Sequence, residues 1–277
     1  MPGKLIIVAT PIGNMGDITQ RAIDALETAG TVLAEDTRVT GKLLHALGIE
    51  ARLERCDENV IAQRAASLVK RMQAGETLAF CSDAGMPGVS DPGLVLVDAA
   101  RDAGVAVDVL PGASAVPAAL VAAGFNGTAF YFGGFLPRKQ VARAKLLQQL
   151  KTLDAALVFY ESPHRVAASA QSIAQEYGER RVALCRELTK LHEEVLRLPA
   201  TQLAADLAAR DSIKGEIALV IAPPSAEDLS VDLEGDDVQS RIKAELEAGT
   251  PKSAIAKQLA KELGVGKNEI YDMIHSM

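Results

Sequence analysis

The sequence contains no tryptophan, only three cysteines and few aromatic residues, which make up 4% of its 277 residues. Cys56, Cys81 and Cys185 lie far apart and include no CxxC pair, so they predict neither a disulfide framework nor a zinc site. We therefore expect no metal in the protein. An odd number of dispersed cysteines also fits a reducing compartment, and we expect the protein in the cytoplasm.

A long apolar run is absent as well. The N-terminal run from Leu5 to Ala9 is followed at once by Pro11, Gly13 and Asn14, and it is far shorter than the roughly 20 residues that a membrane helix needs. We expect no membrane association. With 48% hydrophobic and 23% charged residues, the composition is that of a globular protein with room for two domains and a small additional module.

The net charge of -7 is distributed unevenly along the chain. Residues 223–237 carry six carboxylates and no basic residue, so the rest of the chain has a net charge of -7 + 6 = -1. This composition predicts a solvated acidic linker. The overall acidity therefore does not exclude a nucleic-acid substrate for the remainder of the protein.

Predicted strands and helices alternate along most of the sequence. The alternation predicts an α/β fold with an N-terminal α/β domain over residues 1–122 and a second α/β domain over 123–222. Residues 238–277 predict three helices that resemble a helix-turn-helix, with an apolar seam formed by Ile255, Leu259, Leu263, Val265, Ile270 and Ile274. A packing or dimer role for this module is an open alternative to phosphate binding.

Three loops rich in glycine follow predicted strands of the first domain. They read TPIGNMGD, SDAGMPGVSDPG and LPGASA, and none contains the GxGxxG or GxxxxGK[ST] pattern of known nucleotide loops. Each loop alone is compatible with a plain turn. Because ligands of α/β sheets bind beyond the carboxyl ends of the strands, the three together favour a ligand site there.

Eight segments in order carry a resemblance to a known family: TPIGNMGD, AEDTR, SDAGMPGVSDPG, LPGASA, GGFLPRK, YESPHR, CRELTKLHEE and KGEIALVI. Over about residues 4–222 they resemble the tetrapyrrole-methylase superfamily and, more narrowly, its bacterial branch that acts on small-subunit (16S) ribosomal RNA. The resemblance implies S-adenosylmethionine in a cleft between two α/β domains. It also implies a homodimer that 2'-O-methylates a cytidine in the decoding centre, on free RNA or an assembled small subunit.

Position in the family pattern implies the cofactor-binding residues. They are Pro11, Ile12, Asp83, Ala84, Gly85, Pro87, Gly88, Val89, Ser114, Ala115, Tyr160, Leu188 and Gly215. For Pro87, as for other prolines of this loop, a role in shaping the turn is an equal alternative.

The charged loops YESPHR and RELTKLHEE supply the catalytic candidates. Glu161, His164 and Glu187 are candidates to accept the proton of a ribose hydroxyl, while Arg165 and Lys190 are candidates to bind phosphate or a developing alkoxide. Plain ion pairs at the strand ends are the alternative. The EDTR segment, which begins at Glu35, is the next place to look for a catalytic group.

Clusters of basic residues supply the RNA-binding candidates. They are Arg38, Arg138, Lys139, Arg143 and Lys145 in the α/β domains and Lys252, Lys257 and Lys267 in the C-terminal module. Phe130 and Phe132 lie before the basic cluster that begins at Arg138. Their alternate positions predict that both are core residues of a strand. Two other functions stay open at this point, methylation of a tetrapyrrole precursor and a non-catalytic role in RNA binding or assembly.

Overall fold

The computed structural model describes residues 3–127, 129–225, 228, 236–263 and 266–276. The chain divides into two compact units, Met1–Leu150 with Asp154–Pro223, and Lys151–Leu153 with Pro224–Met277. Both predicted α/β domains fall within the larger unit, which has two halves. The boundary between the halves lies before Ala115 and not after residue 122 as predicted, because the helix Ala115–Ala123 packs on the sheet of the second half.

The first half is built on a parallel sheet of five strands in the order β3-β2-β4-β1-β5. Its strands are β1 (Lys4–Val8), β2 (Thr31–Ala34), β3 (Leu53–Arg55), β4 (Leu78–Cys81) and β5 (Ala106–Leu110). Its helices are α1 (Gln20–Thr28), α2 (Thr37–Leu47), α3 (Glu58–Gln73) and α4 (Gly93–Asp102). The observed parallel alternation confirms the α/β fold class.

Helices cover both faces of this sheet, which explains why its central strands are apolar throughout. Along β1, Leu5 and Ile7 pack with α3 and α4, whereas Ile6 and Val8 pack with α1 and α2. Because β1 lies between β4 and β5, and β4 lies beside β2, the loops that follow these four strands emerge next to one another. The predicted glycine-rich loops thus share one edge of the sheet.

The second half contains a mixed sheet of five strands in the order β6-β7-β10-β8-β9. Its strands are β6 (Phe130–Phe135), β7 (Ala156–Glu161), β8 (Arg181–Arg186), β9 (Glu194–Pro199) and β10 (Ile217–Ile221). The helices α5 (Ala115–Ala123), α6 (Gln140–Leu150), α7 (Val166–Tyr177) and α8 (Ala200–Ala209) complete this half. Only β6 and β7 run parallel, since β10 and β9 are antiparallel to their neighbours.

Helix α5 packs on one face of the mixed sheet and helices α6, α7 and α8 pack on the other. The prediction that Phe130 is a core residue was wrong, because Phe130 lies on the edge strand β6 and is 50% exposed. Phe132 on the same strand packs against the core, as predicted. A register shift between Phe132 and Phe135 breaks the regular alternation of this strand.

The smaller unit contains the helices α9 (Asp236–Glu247), α10 (Lys252–Leu263) and α11 (Lys267–Ser276). Its core includes four residues of the predicted apolar seam, Ile255, Leu259, Ile270 and Ile274. Most of the predicted acidic linker, residues 226, 227 and 229–235, lies outside the described residues, as does Val265. Within the described part of the chain, no helix has the length and apolarity to cross a membrane. All three cysteines are free and buried.

Candidate active site

A cavity of about 430 Å³ is lined by residues from both halves of the larger unit. The first half contributes loops that follow β1, β2, β4 and β5, and the second half contributes residues at the ends of β6, β7, β8 and β10. These are the loops in which the sequence concentrates glycine and charge. The cavity therefore lies where the topology of the parallel sheet predicts a ligand.

The loop after β4 forms a large part of the first wall through its backbone. The amide and carbonyl of Gly85 bond to the carbonyl and amide of Thr10, at 3.1 and 3.0 Å, which ties this loop to the loop after β1. One carboxylate oxygen of Asp91 accepts hydrogen bonds from the amides of Gly88 and Gly93, at 2.7 and 2.9 Å. Gly85 and Gly88 have φ angles of 83° and 92°, which side-chain-bearing residues rarely adopt.

Two carboxylates of the first half line the cavity close to each other. An oxygen of Asp83 accepts a hydrogen bond from the amide of Asp36 at 3.0 Å, which connects the loop after β4 to the loop after β2. Burial raises the pKa of the Asp83 carboxyl, and burial together with the neighbouring charge of Asp83 raises the pKa of Glu35. Both groups hold their protons more tightly than ordinary carboxyl groups because their anions are poorly solvated.

Aromatic rings form part of the second wall. Tyr160 at the end of β7 lies edge-on to Phe132 and Phe135, with ring centroids 5.0 and 5.7 Å apart. Tyr160 and Phe135 line the cavity, and Phe135 is 55% exposed. An exposed ring beside a cavity offers a flat surface for a ligand ring.

Glu161, the next residue of β7, is fully engaged by the protein itself. Its side chain is inaccessible to solvent, and its oxygens accept hydrogen bonds from the Ser162 amide at 2.7 Å and the Ser169 hydroxyl at 2.6 Å. Arg165 completes the group with an ion pair at 2.6 Å. These contacts fix the ESPHR loop against α7. His164 of the same loop is exposed and is not among the residues that line the cavity.

A second ion-pair group lies in the turn that follows β8. The Lys190 ammonium bonds to the carboxylates of Glu187 and Glu216 at 2.8 and 2.9 Å, and these contacts lower the pKa of Glu187 and raise that of Lys190. The Thr189 hydroxyl accepts a hydrogen bond from the Asn14 amide at 3.1 Å. The turn thus connects the two halves through Thr189 and Asn14. Glu187 and Lys190 are not among the residues that line the cavity.

Ten of the thirteen predicted cofactor residues line the cavity, namely Ile12, Asp83, Ala84, Gly85, Val89, Ser114, Ala115, Tyr160, Leu188 and Gly215. Pro11, Pro87 and Gly88 do not. Sequence reasoning missed the lining residues Ser82, Met86, Ser90, Asp91, Phe135, Ser162, Pro163, Glu216, Ile217 and Ala218. All ten lie inside the segments that carry the family resemblance, so the motifs contained these residues without singling them out.

The structure separates the basic residues that sequence analysis assigned to RNA. The assignment of Arg143 is corrected, because this residue is only 5% exposed and its guanidinium donates to Ser172, Pro137 and Ala168 within the protein. Arg38 pairs with Asp36, but its side chain is 86% exposed. The remaining predicted residues are all exposed: Arg138, Lys139, Lys145, Lys252, Lys257 and Lys267.

Comparison with known proteins supports the interpretation of this fold. The model of the family described as Tetrapyrrole (Corrin/Porphyrin) Methylases matches residues 4–204. The chain belongs to this family. The tetrapyrrole-methylase resemblance inferred from the eight segments is thus confirmed.

Several curated relatives match almost the whole chain. The chain is 39% identical over 275 residues to a protein of Halalkalibacterium halodurans, covering 99% of the chain and 95% of the relative. It is 42% identical to a protein of Mesorhizobium japonicum, with 96% and 90% covered, and 41% identical to one of Escherichia coli O157:H7, with 97% and 93% covered. All three relatives carry the name Ribosomal RNA small subunit methyltransferase I.

Solved structures of other tetrapyrrole methylases share the fold at lower identity. The methyltransferase CobJ matches with a TM-score of 0.60 and 18% identity, over 80% of this chain and 94% of that chain. A uroporphyrin-III-C-methyltransferase from Thermus thermophilus matches with a TM-score of 0.55 and 22% identity, over 80% and 93%. At these identities the similarity defines the fold alone.

Proposed function

We propose that this protein transfers a methyl group from S-adenosylmethionine to the ribose 2'-hydroxyl of a cytidine in the decoding centre of small-subunit (16S) ribosomal RNA. The observation that carries the proposal is the similarity to curated relatives at about 40% identity over nearly the full chain, all of them named as methyltransferases of small-subunit ribosomal RNA. The cytidine and the 2'-oxygen follow from the resemblance of YESPHR, RELTK and SDAGMPGVSDPG to this branch of the family.

The cavity has the chemistry that S-adenosylmethionine requires. At Gly85 an added Cβ would lie 3.2 Å from Ile12 and 3.6 Å from the Ala113 carbonyl, so this backbone closely approaches the opposite loop. Asp83 and Ser114 offer acceptors for ribose and amino groups, while Ala115, Tyr160 and Leu188 offer apolar contacts. When bound, the cofactor supplies a methyl group that is already activated on a sulfonium centre.

The main task of the protein residues is then alignment, which contributes on the order of 7 kcal/mol or more when the reacting groups are well oriented. Glu161 and Arg165 suit this task, because their buried ion pair holds the ESPHR loop in one conformation at the cavity. Lys190 and Glu187 support it by fixing the turn after β8, in which the Thr189 hydroxyl accepts a hydrogen bond from the Asn14 amide of the first half. The proposed catalytic contribution of these residues is therefore to shape the cavity.

Exposed cations supply the proposed RNA surface. Arg138 and Lys139 follow the end of β6 after two intervening residues, close in sequence to the exposed ring of Phe135 at the cavity. A stacked base beside a basic loop is typical of proteins that bind unpaired RNA nucleotides. Lys252, Lys257 and Lys267 offer further phosphate contacts on the smaller unit. The expected homodimer stays a prediction.

The proposal is tested by incubating the purified full chain with S-adenosylmethionine labelled on its methyl group. Isolated small ribosomal subunits, free 16S ribosomal RNA and a tetrapyrrole precursor serve as parallel acceptors. We expect label in the RNA, on a single cytidine, as a nucleotide linkage that resists alkaline hydrolysis. Label in the tetrapyrrole alone would support the alternative enzyme, and binding of RNA without label transfer would support the non-catalytic role.

A further inference from the structure

Five carboxylate residues line the cavity: Glu35, Asp83, Asp91, Glu161 and Glu216. A methyl transfer to a hydroxyl group needs one group that accepts the hydroxyl proton. Four of the five are engaged in contacts that hold the cavity together. These contacts make the four residues poor candidates for the general base, which must accept the hydroxyl proton and then release it.

Each of the four engaged carboxylates holds a different part of the cavity in place. Glu161 is buried against Arg165 and Ser169, and Glu216 pairs with Lys190. Asp91 closes the loop after β4 by accepting two backbone amides. Asp83 accepts the amide of Asp36 and so joins two loops. Protonation of any of these four would weaken a contact that shapes the site.

Glu35 is placed differently. It follows β2 directly, and the register of β2 with β4 pairs Ala34 with Cys81, so Glu35 and Ser82 leave the sheet side by side at the cavity. The backbone amide of Asp83 lowers the pKa of Glu35, but burial and the charge of the Asp83 carboxylate outweigh this effect. None of the ion pairs found among the described residues involves Glu35.

The charges that face Glu35 favour proton uptake. Asp83 and Asp91 from the loop after β4 and Asp57 from the segment before α3 are acidic neighbours that raise the pKa of Glu35, and the neighbouring Arg38 is paired with Asp36. Burial, followed by the charge of Asp83, raises the pKa of Glu35 above its ordinary value of 4.5. A carboxylate of raised pKa is a stronger base than an ordinary carboxylate.

We propose that Glu35 is the catalytic residue that accepts the proton of the attacking hydroxyl group. This inference rests on the proposed function. The hydroxyl oxygen forms a bond to the methyl carbon while the bond between this carbon and the sulfonium sulfur breaks. The electron pair of the broken bond stays on sulfur, which becomes a neutral thioether. The hydroxyl proton passes to the Glu35 carboxylate and then to solvent. Glu161 contributes by position alone.

The test compares Glu35→Gln and Glu35→Asp with the wild-type chain in single-turnover methylation of isolated small subunits across pH. We expect Glu35→Gln to lower the rate about 100- to 10,000-fold, and Glu35→Asp to recover part of it because the acceptor is retained. The wild-type rate should fall as pH drops through the raised pKa of Glu35, and Glu35→Gln should lose this dependence. Glu50→Gln, an exposed glutamate that follows α2, is the matched control and should keep the wild-type rate.

Two further measurements do not depend on turnover. Calorimetry should give Glu35→Gln a wild-type affinity for S-adenosylhomocysteine, and carbon NMR of the wild-type protein without ligand should give Glu35 a pKa above 4.5. A wild-type rate in folded Glu35→Gln, or a loss that calorimetry traces to cofactor binding, would overturn the assignment while leaving the proposed function intact. If the wild-type chain itself transfers no label to RNA, the proposed function fails instead.

Discussion

The two walls of the cavity are built in different ways. The wall from the first half presents the backbone of a glycine-rich loop and two carboxylates, Glu35 and Asp83, whose pKa values are raised. The wall from the second half presents aromatic rings backed by the ion pairs of Glu161 and Glu187. The charged loops of the two walls look alike in sequence, but their carboxylates differ in the fold. Those of the first wall have raised pKa values, and those of the second wall are held in ion pairs.

The difference shows how the work of the site is divided. The ion-paired carboxylates of Glu161 and Glu187 fix loops, whereas Glu35 lies half-buried beside other acidic residues, where its raised pKa suits it to take up a proton. The first wall is accordingly the proposed place of cofactor contact and proton transfer. The second wall is the proposed place of alignment. The first two predictions each alter one wall and leave the other unchanged, and the next two concern the stability of both halves and the C-terminal helices.

The largest effect is expected from Gly85→Val in the first wall. Gly85 has a φ of 83°, and an added Cβ would lie 3.2 Å from Ile12. We expect cofactor affinity to fall about 100-fold or more, a cost of about 2.7 kcal/mol, as measured by calorimetry. Gly104→Val is the matched control, because Gly104 has a similar φ of 70° with nothing within 4 Å of an added Cβ. An unchanged affinity in a folded Gly85→Val variant would remove this loop from the cofactor site.

A smaller effect is expected from Arg165→Ala in the second wall. Removal of Arg165 leaves the solvent-inaccessible carboxylate of Glu161 without its cation, and loss of one partner of a buried pair costs about 3 kcal/mol. Because Arg165 is itself 26% exposed and the pair is partly screened by solvent, we expect a cost of about 2 kcal/mol. Lys4→Ala breaks an exposed pair with Asp108 and should cost about 1 kcal/mol or less. Equal losses of unfolding free energy in denaturant titrations would show that the Glu161 pair does not stabilise the second wall.

Acid is expected to weaken both halves to a similar degree. Contacts with Arg71 lower the pKa of Glu76 to about 2 in the first half, and contacts with Arg210 lower that of Glu194 to about 2 in the second. Each depressed pKa contributes stability that is present above the ordinary value of 4.5 and is lost as pH falls towards 2. Glu76→Gln and Glu194→Gln should each flatten the decline in unfolding free energy over this range. Independent acid transitions for the two sheets would contradict their assignment to one compact unit.

The smallest effect is expected at the C-terminal helices. Replacing Lys252, Lys257 and Lys267 together with glutamine should weaken RNA binding and reduce the slope of log affinity against log salt by about 0.7 for each lost phosphate contact. Cofactor affinity should stay unchanged. Lys70→Gln removes an exposed lysine of α3 and serves as the control for a single charge. An unchanged salt slope in the triple variant would favour a packing role for this unit.

Much of this fold could be predicted from the sequence, because its central strands are apolar and end at glycine-rich loops. The helix α2 was missed, although its ends carry clear signals, with Asp36 accepting the Arg38 amide at the start and Gly48 at a φ of 71° at the end. Strands β3 and β9 were missed because they are short or half-exposed, without a continuous apolar run.

The site could be predicted only in part. The motif pattern placed ten cofactor candidates around one cavity, since these residues follow strands that the topology brings together. The burial of Arg143 could not be read from the sequence, because its acceptors on α7 and in the preceding loop become neighbours only in the folded chain. Nor could the sequence distinguish Glu161, which forms an ion pair, from Glu35, for which the described part of the chain supplies no ion pair, because both are glutamates at strand ends.

The most direct test of the central claim is a map of ribose methylation on small-subunit ribosomal RNA from cells with and without this protein. We predict that one cytidine in the decoding centre loses its 2'-O-methyl group in the deleted strain, and that the wild-type chain restores it while Gly85→Val does not. An identical methylation pattern with and without the protein would contradict the account.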